Sequence, residues 1–229
     1  MNTDYCCLDA SAFSLGFAAS HGNTLILEKS ENVLSDFVSP ITPCTVTEPH
    51  TKEGRVFLRY LKSSGCVSAD GILDSPSLAP AAAEYTLNMK FNILLGVNII
   101  SGENNHIKIY TNSGLQNVFC KNVICRQAVK TDFKLLNCLV SGVDYNTLSA
   151  FENAGGRIKR SFENDEYILS LPFAPGCRLN EARIEFVNRI RACFGTDVLI
   201  DAFAADFEYG RVSGGIIEEF EAGVNYDLL

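Results

Sequence analysis

Apolar and polar positions in the first 30 residues form the pattern of a strand, a short helix and a second strand. Tyr5 to Leu8 is an apolar run, and the small and apolar residues at 13–18 favour a helix with one buried side. Gly22 then marks a turn, and Leu25 to Leu27 is a second apolar run that Glu28 ends. This order predicts a βαβ unit whose two strands are parallel neighbours.

The same patterning continues along the chain. A proline-containing loop precedes a helix that Gly65 ends, and Ser77 is the expected cap of the next helix, with Pro80 in its first turn. Residues 114–120 and 121–125 are predicted to be two separate strands of a meander, and Cys120 and Cys125 to bracket a turn. Helices are predicted over 52–64, 77–90, 145–153 and 180–192, and strands over 91–95, 97–100, 106–110, 114–120, 121–125, 133–140, 156–162, 167–171 and 198–204.

These elements predict an α/β fold in two parts. Residues 1–127 should form a Rossmann-like domain around a parallel sheet. Residues 128–229 should form a smaller, mixed α+β part.

The first βαβ unit is similar to a dinucleotide-binding unit that has lost its glycines. The fingerprint has three glycines for a tight turn, close approach of the pyrophosphate and helix packing. Here Asp9, Ser11 and Ser14 stand in their place, and Glu28 stands where an acid would bind the ribose. Ser14 precedes Glu28 by 14 residues, about one helical turn less than usual. The alternative is an ordinary βαβ unit that never bound a nucleotide.

Composition narrows the classes of function. The chain has 47% hydrophobic and 20% charged residues, a formal net charge of −8 and a pI near 4.9. These values predict a globular protein that does not bind nucleic acid. The longest nearly apolar stretch, 91–100, is too short to cross a membrane, and we expect no signal peptide.

Nine cysteines without a secretory signal indicate reduced thiols in the cytoplasm. Cys6 and Cys7 are expected on opposite faces of the first strand, because successive side chains alternate across a sheet. No spacing of Cys and His matches a metal site, so we expect no metal.

Two longer segments carry a resemblance to a protein family. Residues 57–100 and 180–211 resemble, in element order, FAD-dependent oxidoreductases of the fumarate-reductase-like and glucose-inhibited-division-like kind. The family's D-A-T-G motif is replaced by Cys125-Arg126-Gln127. The resemblance implies an FAD-binding domain, a smaller substrate domain and FAD as cofactor.

The resemblance also implies where a flavin would bind. The matching positions are Asp9, Ser11, Ser14, Glu28 and Arg211. Gly210-Arg211 is either a relic of a flavin-facing arginine or a turn with a solvated side chain. A carboxylate at a helix N-terminus competes with phosphate for the same N–H groups, and serine side chains add bulk, so FAD is predicted not to bind tightly. Asp9 is expected to cap the helix itself, by accepting N–H bonds from residues such as Ser11 or Ala12.

Two functions stay open at this point. The first is an FAD-dependent oxidoreductase-family protein with lost or altered flavin binding. The second is a non-catalytic binding or partner subunit that keeps only the fold and pairs with another protein or with itself. No catalytic residue is assigned, since the chain has no G-x-S-x-G, P-loop or H-E-x-x-H motif.

Overall fold

Two β-sheets with helices packed on them make up the computed structural model of this chain. The structure describes residues 1–49, 52–103, 105–124, 134–163, 165–196 and 198–209. In this part of the chain, no helix is long and apolar enough to cross a membrane. The predicted domain boundary at 127/128 lies outside the described residues and stays a prediction.

The first sheet is built on the predicted βαβ unit. Its strands are β1 (Asn2–Cys7), β2 (Thr24–Leu27), β3 (Asn92–Leu94), β4 (Asn98–Glu103), β5 (His106–Thr111) and β6 (Gly114–Ile124). Their order is β3-β2-β1-β6-β5-β4, and the first four strands of that order are parallel. Cys6 lies opposite Leu25, so the predicted pairing of the first two strands is confirmed.

Four helices accompany this sheet: α1 (Ala12–Ser20), α2 (Ser35–Val38), α3 (Lys52–Ser63) and α4 (Ser75–Met89). Leu15 and Phe17 of α1 are fully buried against β1 and β2, as the apolar pattern predicts. α3 stops where expected, because Gly65 adopts a positive φ of 75° that a glycine tolerates best. Helices, parallel strands and a second sheet confirm the predicted α/β, Rossmann-like fold class.

The start of α4 differs from the prediction. The helix begins at Ser75 after the extended Asp74, so Pro76 occupies the first turn and Pro80 lies inside the helix. A proline at that position removes one intrahelical hydrogen bond. Leu78 and Tyr85 of α4 are buried in the same apolar cluster as Leu15 and Phe17 of α1. This packing compensates for the lost hydrogen bond, since packing contributes more to helix stability than local propensity does.

The predicted break at Lys121 is also absent. β6 is one continuous strand, and Cys120 lies inside it and not at a turn. The Lys121 side chain is 76% exposed and its Nζ lies 2.6 Å from Asp4 Oδ1. A polar residue that points into solvent does not interrupt a strand, and the sequence pattern alone could not show this orientation.

The second sheet is antiparallel. It contains β7 (Lys134–Ser141), β8 (Arg157–Arg160), β9 (Glu166–Phe173), β10 (Leu199–Phe203) and β11 (Glu208–Tyr209). Its order is β10-β7-β9-β8, with β11 also paired to β7. Helices α5 (Tyr145–Asn153) and α6 (Leu179–Phe194) belong to the same core, where Phe186 contacts Phe203 edge-on at 5.5 Å. Both helices were predicted within two residues of these bounds.

Three apolar clusters hold the described chain together. Cys7 belongs to the cluster under α1, α3 and α4, whereas Cys6 belongs to the cluster that the meander β4–β6 covers. The two cysteines therefore lie on opposite faces of β1, as predicted. Ile41 joins the third cluster, formed by the second sheet, so the loop after α2 connects the two sheets.

Candidate functional site

The loop between β1 and α1 is organised by the carboxylate of Asp9. Asp9 Oδ1 accepts hydrogen bonds from Ser11 Oγ at 2.7 Å and from Ser14 Oγ at 2.6 Å. The same oxygen accepts the backbone N–H of Ser11 at 3.3 Å. A charged acceptor strengthens such bonds, so this loop has an anion of its own at the start of the helix.

Ser11, and not Asp9, is the N-cap of α1. Its backbone is extended, with φ −68° and ψ 166°, and its Oγ accepts the N–H of Ser14 at 3.3 Å. Asp9 lies two residues before this position and acts mostly through the two hydroxyls. The expected bond from the Ser11 N–H to Asp9 is present, but the N-cap residue is Ser11 and not Asp9. The negative charge of Asp9 does lie at the positive end of the helix dipole.

Glu28 holds the same loop from the other side. Its carboxyl group accepts the N–H of Ala10 through Oε2 and the N–H of Ser30 through Oε1, both at 2.7 Å. The residue is only 5% exposed. The acid that would bind a ribose in a dinucleotide-binding unit is thus engaged on the chain's own backbone.

The structure brings four of the five predicted site residues together. Asp9, Ser11 and Ser14 form one hydrogen-bonded group, and Glu28 binds Ala10 between them. The fifth residue, Arg211, lies outside the described residues.

The sequence did not predict a second polar group, which lies on β7 and β11. Asn137 is fully buried, and its Nδ2 donates to the Pro40 carbonyl and to Glu208 Oε2, each at 2.8 Å. Its Oδ1 has no hydrogen-bond partner in the described structure. Burial raises the pKa of Glu208, while the Asn137 hydrogen bond and the charges of Lys159 and Arg157 act in the opposite direction.

A cavity of about 190 Å³ lies between the β8–β9 hairpin and the loop after α2. Its walls are mostly apolar, and its charged lining residues are cations. The lining consists of Pro43, Cys44, Thr45, Ile72, Leu73, Lys159, Arg160 and Ile168.

The described residues can be compared with the requirements of a metal site, and Cys6 and Cys7 with those of a reactive thiol. They contain no group of three or more His, Cys, Asp or Glu side chains placed to hold a metal ion. Burial raises the pKa of Cys6 and of Cys7 to about 12, which keeps both thiols protonated and weakly nucleophilic at neutral pH.

Comparison by sequence identifies no relative. No protein-family model matches the chain, and no curated protein matches it.

Comparison of structures gives several similar folds. The chain is similar to p-nitrophenol 4-monooxygenase PnpA from Pseudomonas putida DLL-E4, with a TM-score of 0.57, 10% identity and coverage of 88% of this chain and 67% of that one. It is also similar to L-proline dehydrogenase from P. horikoshii, with a TM-score of 0.55 and 11% identity. That match covers 98% of this chain and 91% of the dehydrogenase. A third similar structure is the flavin-dependent monooxygenase PieE in complex with FAD and substrate, with a TM-score of 0.50 and 10% identity. That match covers 89% of this chain and 49% of PieE.

The chain has a flavoprotein-like fold. Identities of 10–11% establish this fold and no activity. The chain spans 67% of the PnpA chain and about half of PieE, so it is markedly shorter than these two monooxygenases. The more specific resemblance, to fumarate-reductase-like and glucose-inhibited-division-like proteins, is not confirmed by these structures and stays a prediction.

Within the flavoprotein-like fold, the β1–α1 loop departs from what a pyrophosphate needs. Phosphates bind at a helix N-terminus through backbone N–H groups that glycines leave accessible. Here a carboxylate and two serine hydroxyls converge there.

Sequence reasoning missed Asn137, Glu208 and the two cations of the cavity. An amide inside the apolar run LLNCLV was the available signal for Asn137, because a buried polar side chain needs a partner. Lys159 and Arg160 lie in the short run RIKR, whose partners across the cavity are more than 80 residues away in the chain. No local pattern could have connected them.

Proposed function

We propose that this chain is a flavoprotein-fold protein that no longer holds FAD tightly and that acts by binding, not by flavin chemistry. The observation that carries the proposal is the Asp9 carboxylate at the N-terminus of α1, where it accepts three hydrogen bonds. Its charge has the same sign as a pyrophosphate.

The electrostatic cost is large enough to decide the outcome. Two like charges about 4 Å apart repel by about 4 kcal/mol at an effective dielectric constant near 20. Each ~1.4 kcal/mol changes an affinity tenfold, so one such contact weakens dinucleotide binding by about three orders of magnitude. The Ser11 and Ser14 side chains add bulk in the same place.

Glu28 supports the same proposal. Both of its oxygens already accept backbone N–H groups, and the side chain is buried. A ribose hydroxyl would have to approach a carboxylate that the surrounding backbone covers.

The second candidate is an oxidoreductase of the FAD-dependent family with an altered mode of flavin binding. The observations in its favour are the flavoprotein-like fold and an acid that directly follows β2. In the first candidate, the chain is a partner subunit of another protein or of a second copy of itself, in the cytoplasm.

Calorimetric titration with FAD and with ADP separates the two candidates. We expect at most weak binding to the wild type and a clear gain in Asp9→Asn, which removes the charge and keeps an acceptor oxygen. The matched control is Asp70→Asn, since Asp70 is exposed in a distant turn. Tight binding of FAD to the wild type would overturn the first candidate and leave the second.

A further inference from the structure

We propose that the cavity between the β8–β9 hairpin and the loop 43–45 is a binding site for a small aliphatic carboxylate. The inference goes beyond the proposed function and does not depend on whether the chain holds FAD.

The size and walls of the cavity indicate the apolar part of the ligand. Its volume of about 190 Å³ is room for about six water molecules at ~30 Å³ each, and is below the ~300 Å³ at which pockets take drug-sized ligands. Pro43, Ile72, Leu73 and Ile168 supply aliphatic surface, and none of the described lining residues is aromatic. A short alkyl chain fits such walls and is favoured by its removal from water.

The charges at the cavity indicate the polar part of the ligand. Among the described residues that line the cavity, the charged ones are Lys159 and Arg160, in a chain whose formal net charge is −8. Lys159 lies directly opposite Ile168 across the β8–β9 ladder, so an ammonium group and an apolar wall are neighbours. Arg160 has an interaction of its own within the chain, so the proposed partner of a carboxylate is the ammonium group of Lys159. An ammonium group beside apolar walls matches a carboxylate that carries an alkyl chain.

Three acidic residues lie near the cavity and oppose the positive charge of Lys159. Asp74 directly follows Leu73, and Glu166 lies two residues before Ile168. Glu208 lies near Lys159, but it is bound to Asn137 and its burial favours the neutral form. None of these three carboxylates lines the cavity.

The wall that faces the cations is held in place by backbone contacts. Thr45 and Ile72 form an antiparallel bridge, and the N–H of Leu73 donates to the Cys44 carbonyl at 3.0 Å. Gly71 turns this segment at a φ of +79°, and a Cβ there would lie 3.1 Å from the Val46 carbonyl oxygen. The shape is therefore present before any ligand binds, which lowers the cost of binding.

The test is an NMR titration of the full chain with hexanoate, with hexanamide as the neutral match and inorganic phosphate as the anion without an alkyl chain. We expect hexanoate to bind more tightly than both. Lys159→Gln should weaken hexanoate binding by about threefold to fivefold, the range for an exposed charge contact. Lys108→Gln, an exposed lysine of β5, should leave the affinity unchanged.

Three results would overturn the proposal. If hexanamide bound as tightly as hexanoate, the positive charge would play no part in binding. If phosphate bound as tightly as hexanoate, the apolar walls would play no part. If Lys159→Gln and Lys108→Gln lowered the hexanoate affinity equally, the ligand would bind elsewhere or would respond only to the overall charge of the protein. Lys159 is exposed, so its variant should fold, which circular dichroism can check.

Discussion

Two concave regions of this chain carry opposite charge. At the β1–α1 loop, Asp9 and Glu28 accept hydrogen bonds from the loop itself. At the cavity beside the second sheet, Lys159 and Arg160 border apolar walls. From the fold alone, a bound anion would be expected at the β1–α1 loop. The charges of the side chains favour a bound anion at the cavity instead.

In the account proposed above, the Asp9 side chain takes the place of a bound phosphate. Asp9 is tethered to the loop, so it reaches the helix N-terminus without the loss of translational freedom that a free dinucleotide suffers on binding. In the structure, the Asp9 carboxylate accepts the hydrogen bonds of the two serine hydroxyls and of the Ser11 N–H at the start of the helix.

The largest expected effect is on anion binding at the loop. Asp9→Asn should raise the affinity for ADP by about hundredfold, because it removes most of a repulsion of a few kcal/mol. Stability should change little, since the amide oxygen still accepts from Ser11 and Ser14. Calorimetric titration measures the affinity, and an unchanged affinity would show that the serines and Glu28, not the charge, close the site.

Glu28→Gln should lower the free energy of unfolding by about 2 kcal/mol. The amide can accept only one of the two N–H groups that the carboxylate now binds, which leaves a buried donor without a partner. Glu31→Gln, at an exposed position of the next loop, is the control and should have little effect. Equal urea-unfolding curves for both variants would mean that Glu28 is not a structural part of the loop.

Glu208→Gln should change the pH dependence of stability. Because the folded-state pKa of Glu208 is raised above 4.5, the folded chain binds a proton more tightly than the unfolded chain does. The wild type should therefore lose stability relative to the variant as pH rises from 4.5 through the raised pKa. Urea titrations at several pH values test this, and a constant difference would show that Glu208 is not desolvated.

Asp74→Asn should have the smallest effect, at the cavity. It removes a negative charge next to Leu73 and should strengthen hexanoate binding by about twofold, the lower end for exposed charges. Asp74 makes no side-chain cap hydrogen bond to α4, so the helix should persist. Weaker hexanoate binding in this variant would contradict the electrostatic account of the cavity.

The sequence predicted elements better than it predicted contacts between them. Periodicity located β1, α1, β2 and α6, and it placed Cys6 and Cys7 on opposite faces, because these features depend on neighbours in the chain. It did not show that the buried Glu28 accepts the N–H of Ala10, nor that Lys159 and Ile72 line one cavity. Such contacts join residues far apart in sequence, and only the fold brings them together.

The β1–α1 loop shows the same limit at closer range. The lost glycines and the carboxylate at the start of α1 could be predicted from the sequence. The roles within the loop could not, because Asp9 and Ser11 are both good N-cap residues and only the backbone geometry selects Ser11.

Flavin content tests the central claim most directly. The chain would be purified without added cofactor and again after incubation with excess FAD, then denatured, and released flavin would be measured by absorbance near ~450 nm. We predict at most trace flavin in both samples, and more flavin retained by Asp9→Asn after incubation. Stoichiometric flavin released from the wild type would contradict the claim that this loop is filled by the chain's own carboxylate.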